Sequence, residues 1–546
     1  MPGILKRVVI DLTPILPGGE NGGAKIFVLE LIRQLAEIAP KTEFILLTQA
    51  AAHQELQAME GKNVRCLQVL GNSLAQTPWV EKLRAFLNKL PYVGRKLTAL
   101  GYRIYARLKP QQGYSIIGNM KVDLLFCPFT APTYYEPGVP TICTIYDLQY
   151  KTYPEFFNPD ELIQRNYVFV EACHRATMLT AISDYSRHSA IRHGDIEPDK
   201  IRTIYLQMAH RILPKTEQDN SILRRLALRT EEYLLYPANF WKHKNHEMLI
   251  TAFGIACQAQ LPQSIKLVCP GAVSERQSWL IEAAAKMGLA ERILFPGYVT
   301  NDELAALMAN SRGVIFPSLY EGFGLPVIEA MAAGIPVACS NLSSLPEIAA
   351  EAAYLFNPRI PTQIAEAIIA LSTDNELRQN LIKAGKARAK LFSDASCMAH
   401  EYWALFHDSL QDNSKHDLLT GTYEDGWVGS KLSLQIAPSS SQQTLEIDFF
   451  APEWLPQTKV MVKAIQKKGK AESQSLKVLR GHKGSLSLAL PTDGGHYEIR
   501  MAPTFVPIQT GHSDSDGREL SLIIQKCHVK RNNGETMVLI PRTKQA

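Results

Sequence analysis

The stretch that most constrains this chain is residues 317–337, PSLYEGFGLPVIEAMAAGIPV. It follows a short apolar run, GVIF, of the kind that forms a strand buried on both faces. Gly322 and Gly324 then admit backbone angles that a Cβ resists. Pro326 suits the first turn of a helix, where its missing N–H costs nothing. Gly334 stops that helix, and residues 336–339 begin the next strand. Strand, glycine loop and helix in this order set free amides, and the positive end of the helix dipole, beside the carboxyl end of the strand. That is a phosphate-binding corner. Two carboxylates frame it, Glu321 on the loop and Glu329 on the helix. Either alone reads as an ordinary surface or helix-start charge; both together in this setting point to a ligand site.

A loop Glu, seven residues and a helix Glu, with Gly-Phe-Gly-Leu-Pro between them, closely resembles the donor-site motif of family 4 glycosyltransferases. These are retaining enzymes of the GT-B fold that use activated sugars. The resemblance implies that Glu321 sits at the donor sugar and that Glu329 binds ribose hydroxyls. It also implies that the backbone around Gly322, Phe323, Gly324, Leu325 and Val327 holds sugar hydroxyls and phosphate.

The bulk numbers bound the alternatives. A length of 546 residues suggests three or four folded units. Hydrophobic and charged fractions of 46% and 20% are those of an ordinary soluble protein, and a net charge of +5 at this length gives no reason to expect nucleic acid as a partner. Nine scattered cysteines, with no Cys-x-x-Cys pair, speak against a disulfide framework or a structural zinc and suit a reducing cytosol. Residues 8–11 already read as a strand, with no apolar leader before them, and no run of about 20 apolar residues occurs, so the expected location is cytoplasmic.

In chain order, residues 8–11 are a strand, Gly18-Gly19 and Gly22-Gly23 a glycine loop, and residues 24–36 an amphipathic helix: the opening of a Rossmann-like unit. The resemblance turns this loop, with Gly22 and Gly23, toward the donor phosphates. Residues 43–48 are a second strand. Residues 82–109 hold eight basic side chains and no acid, with aromatics interleaved. Such a segment fits a peripheral contact with an anionic membrane or an anionic acceptor, and equally a solvated helix face. Residues 140–149 are a buried strand whose carboxyl end carries Tyr146 and Asp147, the end that faces the crevice in open α/β sheets. Relatives in the resembled family have His at the Tyr146 position. A phenol with a pKa near ~10 is a poor base at neutral pH but can still donate a hydrogen bond, so Tyr146 and Asp147 are candidates for sugar or acceptor contacts. Ser183 reads as a helix N-cap.

The pattern restarts with a strand at 233–236. In the resembled family the following turn carries an Arg and, five residues on, a Lys, both on the donor diphosphate. Lys244 matches the Lys, whereas the Arg position is Asn239, an amide that cannot make the same charged contact. The backbone near Val299 would hold the nucleobase. His243 and His246 lack metal-ligand partners in the sequence pattern and read as structural. After residue 410 the chain turns to seven or eight short alternating strands, the pattern of a β-sandwich. There Trp427, Trp454 and Tyr497 read either as core or as a sugar-stacking surface.

The expected architecture is α/β, GT-B: two Rossmann-like domains facing a cleft, plus a C-terminal all-β sandwich. The expected boundaries are 1–206 (acceptor domain), 207–395 (donor domain), 396–411 (crossover helix), 412–430 (linker) and 431–546 (accessory β-domain). The expected function is retaining transfer of a hexose from a nucleotide sugar, such as GDP-mannose or UDP-glucose, to a glycan or lipid-linked acceptor, with no cofactor and no bound metal. The alternatives are a nucleotide-sugar epimerase on the same fold and a non-catalytic glycan-binding scaffold.

Overall fold

The computed structural model describes residues 5–17, 22–71, 116–136, 138–212, 221–412, 418–422, 427–436, 439, 441–466, 474–492, 495–507, 520–531 and 536–538. The basic segment 82–109 lies outside the described residues. The chain divides into two compact units, one of Leu5–Tyr134 with Thr141–Phe406 and the other built mainly from His407–Ala546.

The larger unit holds two parallel sheets. The first is made of β1 (Arg7–Asp11), β2 (Glu43–Gln49), β3 (Val64–Leu70), β4 (Leu124–Cys127), β5 (Thr141–Ile145), β6 (Met178–Ala181) and β7 (Ile201–Thr203), in the order β3-β2-β1-β4-β5-β6-β7. Its helices include α1 (Gly22–Ile38), α2 (Pro159–Arg175) and α3 (Asp184–Gly194). β4, β5 and β6 are buried at every residue, which is why their sequences read as apolar runs rather than alternations. β3 and β6 go beyond the sequence expectation. β3 is a half-exposed edge strand without clean alternation, and β6 has only four residues. α1 starts at Gly22 rather than Ala24, so the second glycine pair forms the first turn of the helix.

The second sheet repeats the plan. β8 (Tyr233–Leu235), β9 (Lys266–Val268), β10 (Ile293–Leu294), β11 (Gly313–Phe316), β12 (Val337–Ser340) and β13 (Tyr354–Phe356) run in the order β10-β9-β8-β11-β12-β13. The helices that matter here are α4 (His246–Gln258), α5 (Asn301–Ala309), α6 (Leu325–Ala332) and α7 (Leu345–Ala349). The order reverses between β8 and β11, so the loops leaving those two strands diverge and leave a crevice at their carboxyl ends. After the second sheet, α8 (Ala395–Asp412) returns to the first. Tyr402 packs its ring 6.1 Å from Phe27 and 5.5 Å from Phe126, with its hydroxyl 3.3 Å from Thr180 Oγ1, and Trp403 lies 6.4 Å from Phe44.

Beyond the end of α8, the described strands of the smaller unit pair antiparallel. These strands include β14 (Leu418–Thr422), β15 (Trp427–Ile436), β16 (Gln443–Phe450), β17 (Lys459–Gln466), β18 (Gln474–Leu479), β19 (Lys483–Leu490), β20 (Gly495–Ala502), β21 (Leu522–Arg531) and β22 (Thr536–Val538). The main path is β18-β17-β20-β15-β21-β16-β19. Its two end strands, β18 and β19, are consecutive in the chain and joined by a short turn. A sheet whose edges are so joined must curl toward closure, which gives a nearly barrel-like shape. Residues 412–430, expected as a linker, already hold β14 and the start of β15, which pair with each other. Trp427 and Tyr497 belong to the core, whereas Trp454 is 49% exposed.

Candidate active site

The site grows from the switch point between β8 and β11. The loop after β8 is fixed by Asn245, which adopts a left-handed backbone (φ 61°). Its side-chain amide donates to the carbonyls of Pro317 (3.1 Å) and Pro358 (2.9 Å). The Tyr236 hydroxyl donates to the Lys244 carbonyl (2.6 Å), and Leu319 N donates to the His243 carbonyl (2.7 Å). The two loops are thus stitched together. Lys244 Nζ meets Glu321 Oε1 at 2.6 Å, with only 13% and 11% of these side chains exposed. The ammonium also lies 5.6 Å from the centre of the Phe316 ring.

The glycine loop is held from below. Glu321 N donates to Ser343 Oγ (2.9 Å), and Ser344 Oγ lies within hydrogen-bond reach of the carbonyls of Glu321 (2.9 Å) and Phe323 (3.1 Å). Gly324 opens α6 at φ 99°, and a Cβ there would stand 2.6 Å from Leu345 Cδ2. Both conditions call for glycine. Phe323 and Val327 turn their side chains into the core, so only their backbone groups are available to a ligand. Leu325 remains half-buried and faces Gly23, where an added Cβ would come within 2.9 Å of Leu325 Cδ1.

The two sheets meet here. Gly322 lies so close to the Tyr146 carbonyl that a Cβ would overlap it. The Ser183 hydroxyl donates to the Gly322 carbonyl (2.7 Å) while accepting from Ser186 N, and the Ser186 hydroxyl donates to the Tyr146 carbonyl (2.8 Å). Glu347, at the start of α7, reaches across to the first turn of α3. Its oxygens accept from Asp184 N (2.7 Å) and Tyr185 N (2.9 Å). Sequence reasoning identified Ser183 as an N-cap and did not single out Glu347. It missed that both join the two sheets, because no local pattern reports a partner more than 100 residues away.

The remaining sequence candidates fall as follows. Asp147 is open to water, and its Oδ1 accepts from Gln149 N (3.0 Å). Protein surrounds it closely, and this pushes its carboxyl above the ordinary value; nearby Glu321 adds to the rise, while Arg165 and Lys244 oppose it. Tyr146 does not present its hydroxyl to the crevice. That oxygen is buried with no hydrogen-bond partner among the described residues, and the ring sits 6.2 Å from Phe27 and 6.3 Å from Phe129. Burial pushes the phenol well above its usual range. The Asn239 side chain is engaged as well, its Oδ1 accepting from Ala272 N (2.9 Å). Val299 is half-buried just before α5. Glu329 is 1% exposed and paired with Arg211, a residue that no sequence signal marked. His246 is buried between the rings of Tyr236 (4.7 Å) and Phe240 (4.9 Å), and burial pushes its imidazole down to about 3, so it is neutral packing. Among the described residues, no cluster of three or more His, Cys, Asp or Glu could hold a metal ion, and no helix is long and apolar enough to cross a membrane.

Chemically, this corner offers the Lys244 ammonium, the Glu321 and Asp147 carboxylates and a row of loop amides at the mouth of a parallel sheet, with the Glu329 carboxylate buried against Arg211. Comparison with known proteins agrees. Residues 219–388 match the glycosyl transferases group 1 family. The O-antigen chain mannosyltransferase B of Escherichia coli is 28% identical over 379 residues, 68% of this chain and 92% of that protein. The serotype-specific mannosyltransferase WbdA of Escherichia coli is 29% identical over 283 residues, 51% of this chain but only 34% of that protein. Among solved structures, Anabaena Alr3699/HepE in complex with UDP and glucose superposes with a TM-score of 0.54 at 18% identity, over 73% of this chain and 99% of that one. Sucrose-phosphate synthase from Thermosynechococcus elongatus gives a TM-score of 0.55 at 19% identity, over 74% and 98%. With residues 219–388 matching the glycosyl transferases group 1 family inside a GT-B fold, the chain is a glycosyltransferase enzyme.

Proposed function

We propose that the enzyme moves mannose from a nucleotide sugar, GDP-mannose in the first instance, to a hydroxyl of a glycan or lipid-linked acceptor with retained configuration. The observation that carries this is the Lys244–Glu321 pair, 2.6 Å apart on the rim of a glycine-bounded helix start. In this reading Lys244 and the loop amides face the diphosphate and stabilise the charge that develops as it leaves. Glu321 holds the sugar and orients Lys244. Asp147, across the crevice on the first sheet, contacts the sugar or the incoming hydroxyl. The bond from the anomeric carbon to the phosphate oxygen breaks, the bond to the acceptor oxygen forms on the same face, and the acceptor proton passes to the departing phosphate. Glu329 and the backbone at Val299 hold the nucleoside. The choice of mannose, and of a polysaccharide acceptor, rests on relatives named as O-antigen mannosyltransferases.

A thermal-shift screen of GDP, UDP and ADP, followed by transfer from the matching mannose or glucose donor, tests the reading. Stabilisation by GDP and turnover of GDP-mannose, unchanged by EDTA, is expected. Binding of none of these nucleotides would sink it. The basic segment 82–109 supports, in addition, a peripheral contact with anionic membrane on the cytoplasmic side. Sedimentation with anionic vesicles at low salt checks this, and absence of binding there ends it.

A further inference from the structure

Glu329 sits in the middle of α6, where its neighbours Val327, Ile328, Ala330 and Met331 are all buried and apolar. A carboxylate there, 1% exposed, is costly unless fully partnered. It is only half partnered. Arg211 Nε lies 2.6 Å from Oε1, while Oε2 is buried with no partner among the described residues. Packing does not account for such an acid, because an apolar side chain would fill the same place without the penalty.

Arg211 comes from the segment that leaves β7 and leads toward the second sheet. That segment is tied to the donor side by Ala209 N donating to the Phe392 carbonyl (2.9 Å), and the Phe392 ring lies 5.7 Å from Phe323 in the glycine loop. The guanidinium also reaches Asn301 Oδ1 (3.3 Å), two residues beyond Val299. It therefore spans from the helix acid to the loop before α5, the two points between which a nucleoside lies in the reading above. We propose that Arg211 is a positioning residue of the nucleoside subsite: it grips Glu329 by one oxygen and leaves the other for a ribose hydroxyl. Arg211 keeps 17% of its side chain exposed whereas Glu329 is sealed, so the guanidinium forms the wall that the ribose must pass. This rests on the nucleotide-site reading of Glu329.

Burial raises the Glu329 carboxyl and Arg211 opposes that rise. Without the guanidinium, the carboxyl should titrate at higher pH. The test is calorimetry of GDP and UDP binding to the whole chain from pH 5 to 8, for wild type, Arg211→Gln, Arg211→Lys and Glu329→Gln. For Arg211→Gln we expect about tenfold weaker nucleotide binding at neutral pH, and an acid limb of affinity moved up by about one pH unit. Arg211→Lys should restore most of the affinity and return the limb toward the wild-type position, which also guards against a mere folding defect. Wild-type or tighter binding by Arg211→Gln, with an unmoved limb, overturns the proposal while Glu329→Gln still weakens binding. Full affinity in Glu329→Gln at every pH brings down the nucleotide-site reading itself, and the proposal with it.

Discussion

Lys244 Nζ and Glu321 Oε1 stand 2.6 Å apart although 77 residues separate them in the chain. Each side chain is almost withdrawn from water, so each is the other's main compensation. Replacing Lys244 or Glu321 by Ala should therefore cut turnover about 100-fold or more, the scale on which a lost transition-state contact acts. Because the two act through one ion pair, the double variant should be little worse than the poorer single variant. Rate losses that simply multiply would show the pair to be uncoupled.

Gly322 is set by a contact rather than by its dihedral angles. A methyl group there has to push aside the Tyr146 carbonyl and the adjoining Asp147 Cβ. Gly322→Ala should lower stability by about 1–3 kcal/mol and reduce kcat at least tenfold. Gly61→Ala, where an added Cβ meets nothing within 4 Å, should change neither. Melting curves and initial rates on both variants decide the matter.

The Glu347 carboxylate covers two amides at the start of α3, a helix on the other sheet. Glu347→Ala uncovers both and should cost about 1–2 kcal/mol. Glu347→Gln keeps one acceptor oxygen and should cost less. Equal urea midpoints for wild type and Glu347→Ala would show that the carboxylate contributes nothing to holding the sheets together.

Asp11 closes β1 with 1% exposure, accepting from Thr13 N (3.0 Å) and Thr13 Oγ1 (2.6 Å). Burial, only partly offset by these bonds, raises its carboxyl from 3.8 to about 6. A folded value above the unfolded one means that the protonated acid favours folding. That contribution is fully present below about pH 4 and is lost as the pH climbs through about 6. Asp11→Asn keeps an acceptor for Thr13 and removes the ionisation. It should match wild type at pH 4 and exceed it above pH 6 by up to about 3 kcal/mol. Urea titrations at pH 4 and 8 test this, and a pH-independent difference refutes it.

The strand–loop–helix corner was legible in residue order, because each part is local. GVIF needs a buried parallel strand, Gly324 needs a left-handed backbone, and Pro326 and Gly334 mark the ends of a helix. The repeat of the α/β pattern across both sheets was legible for the same reason, and so was the all-β character of the last 130 or so residues. β3 was not legible, since a half-exposed edge strand carries too little periodicity, and β6 was passed over although strands as short, such as GVIF, were read. Nor could 412–430 be told from a linker, because β14 is a strand only by virtue of pairing with β15. Tertiary structure alone decided which groups surround the corner. It gave Glu347 to a helix of the opposite sheet, set the Tyr146 hydroxyl among aromatic rings rather than in the crevice, and put Arg211 against Glu329. Where backbone conformation is fixed by interactions over a few residues, it leaves its mark in the local sequence. A side chain's partner across a crevice is fixed by how the two sheets pack against each other, and no short stretch of residues records that.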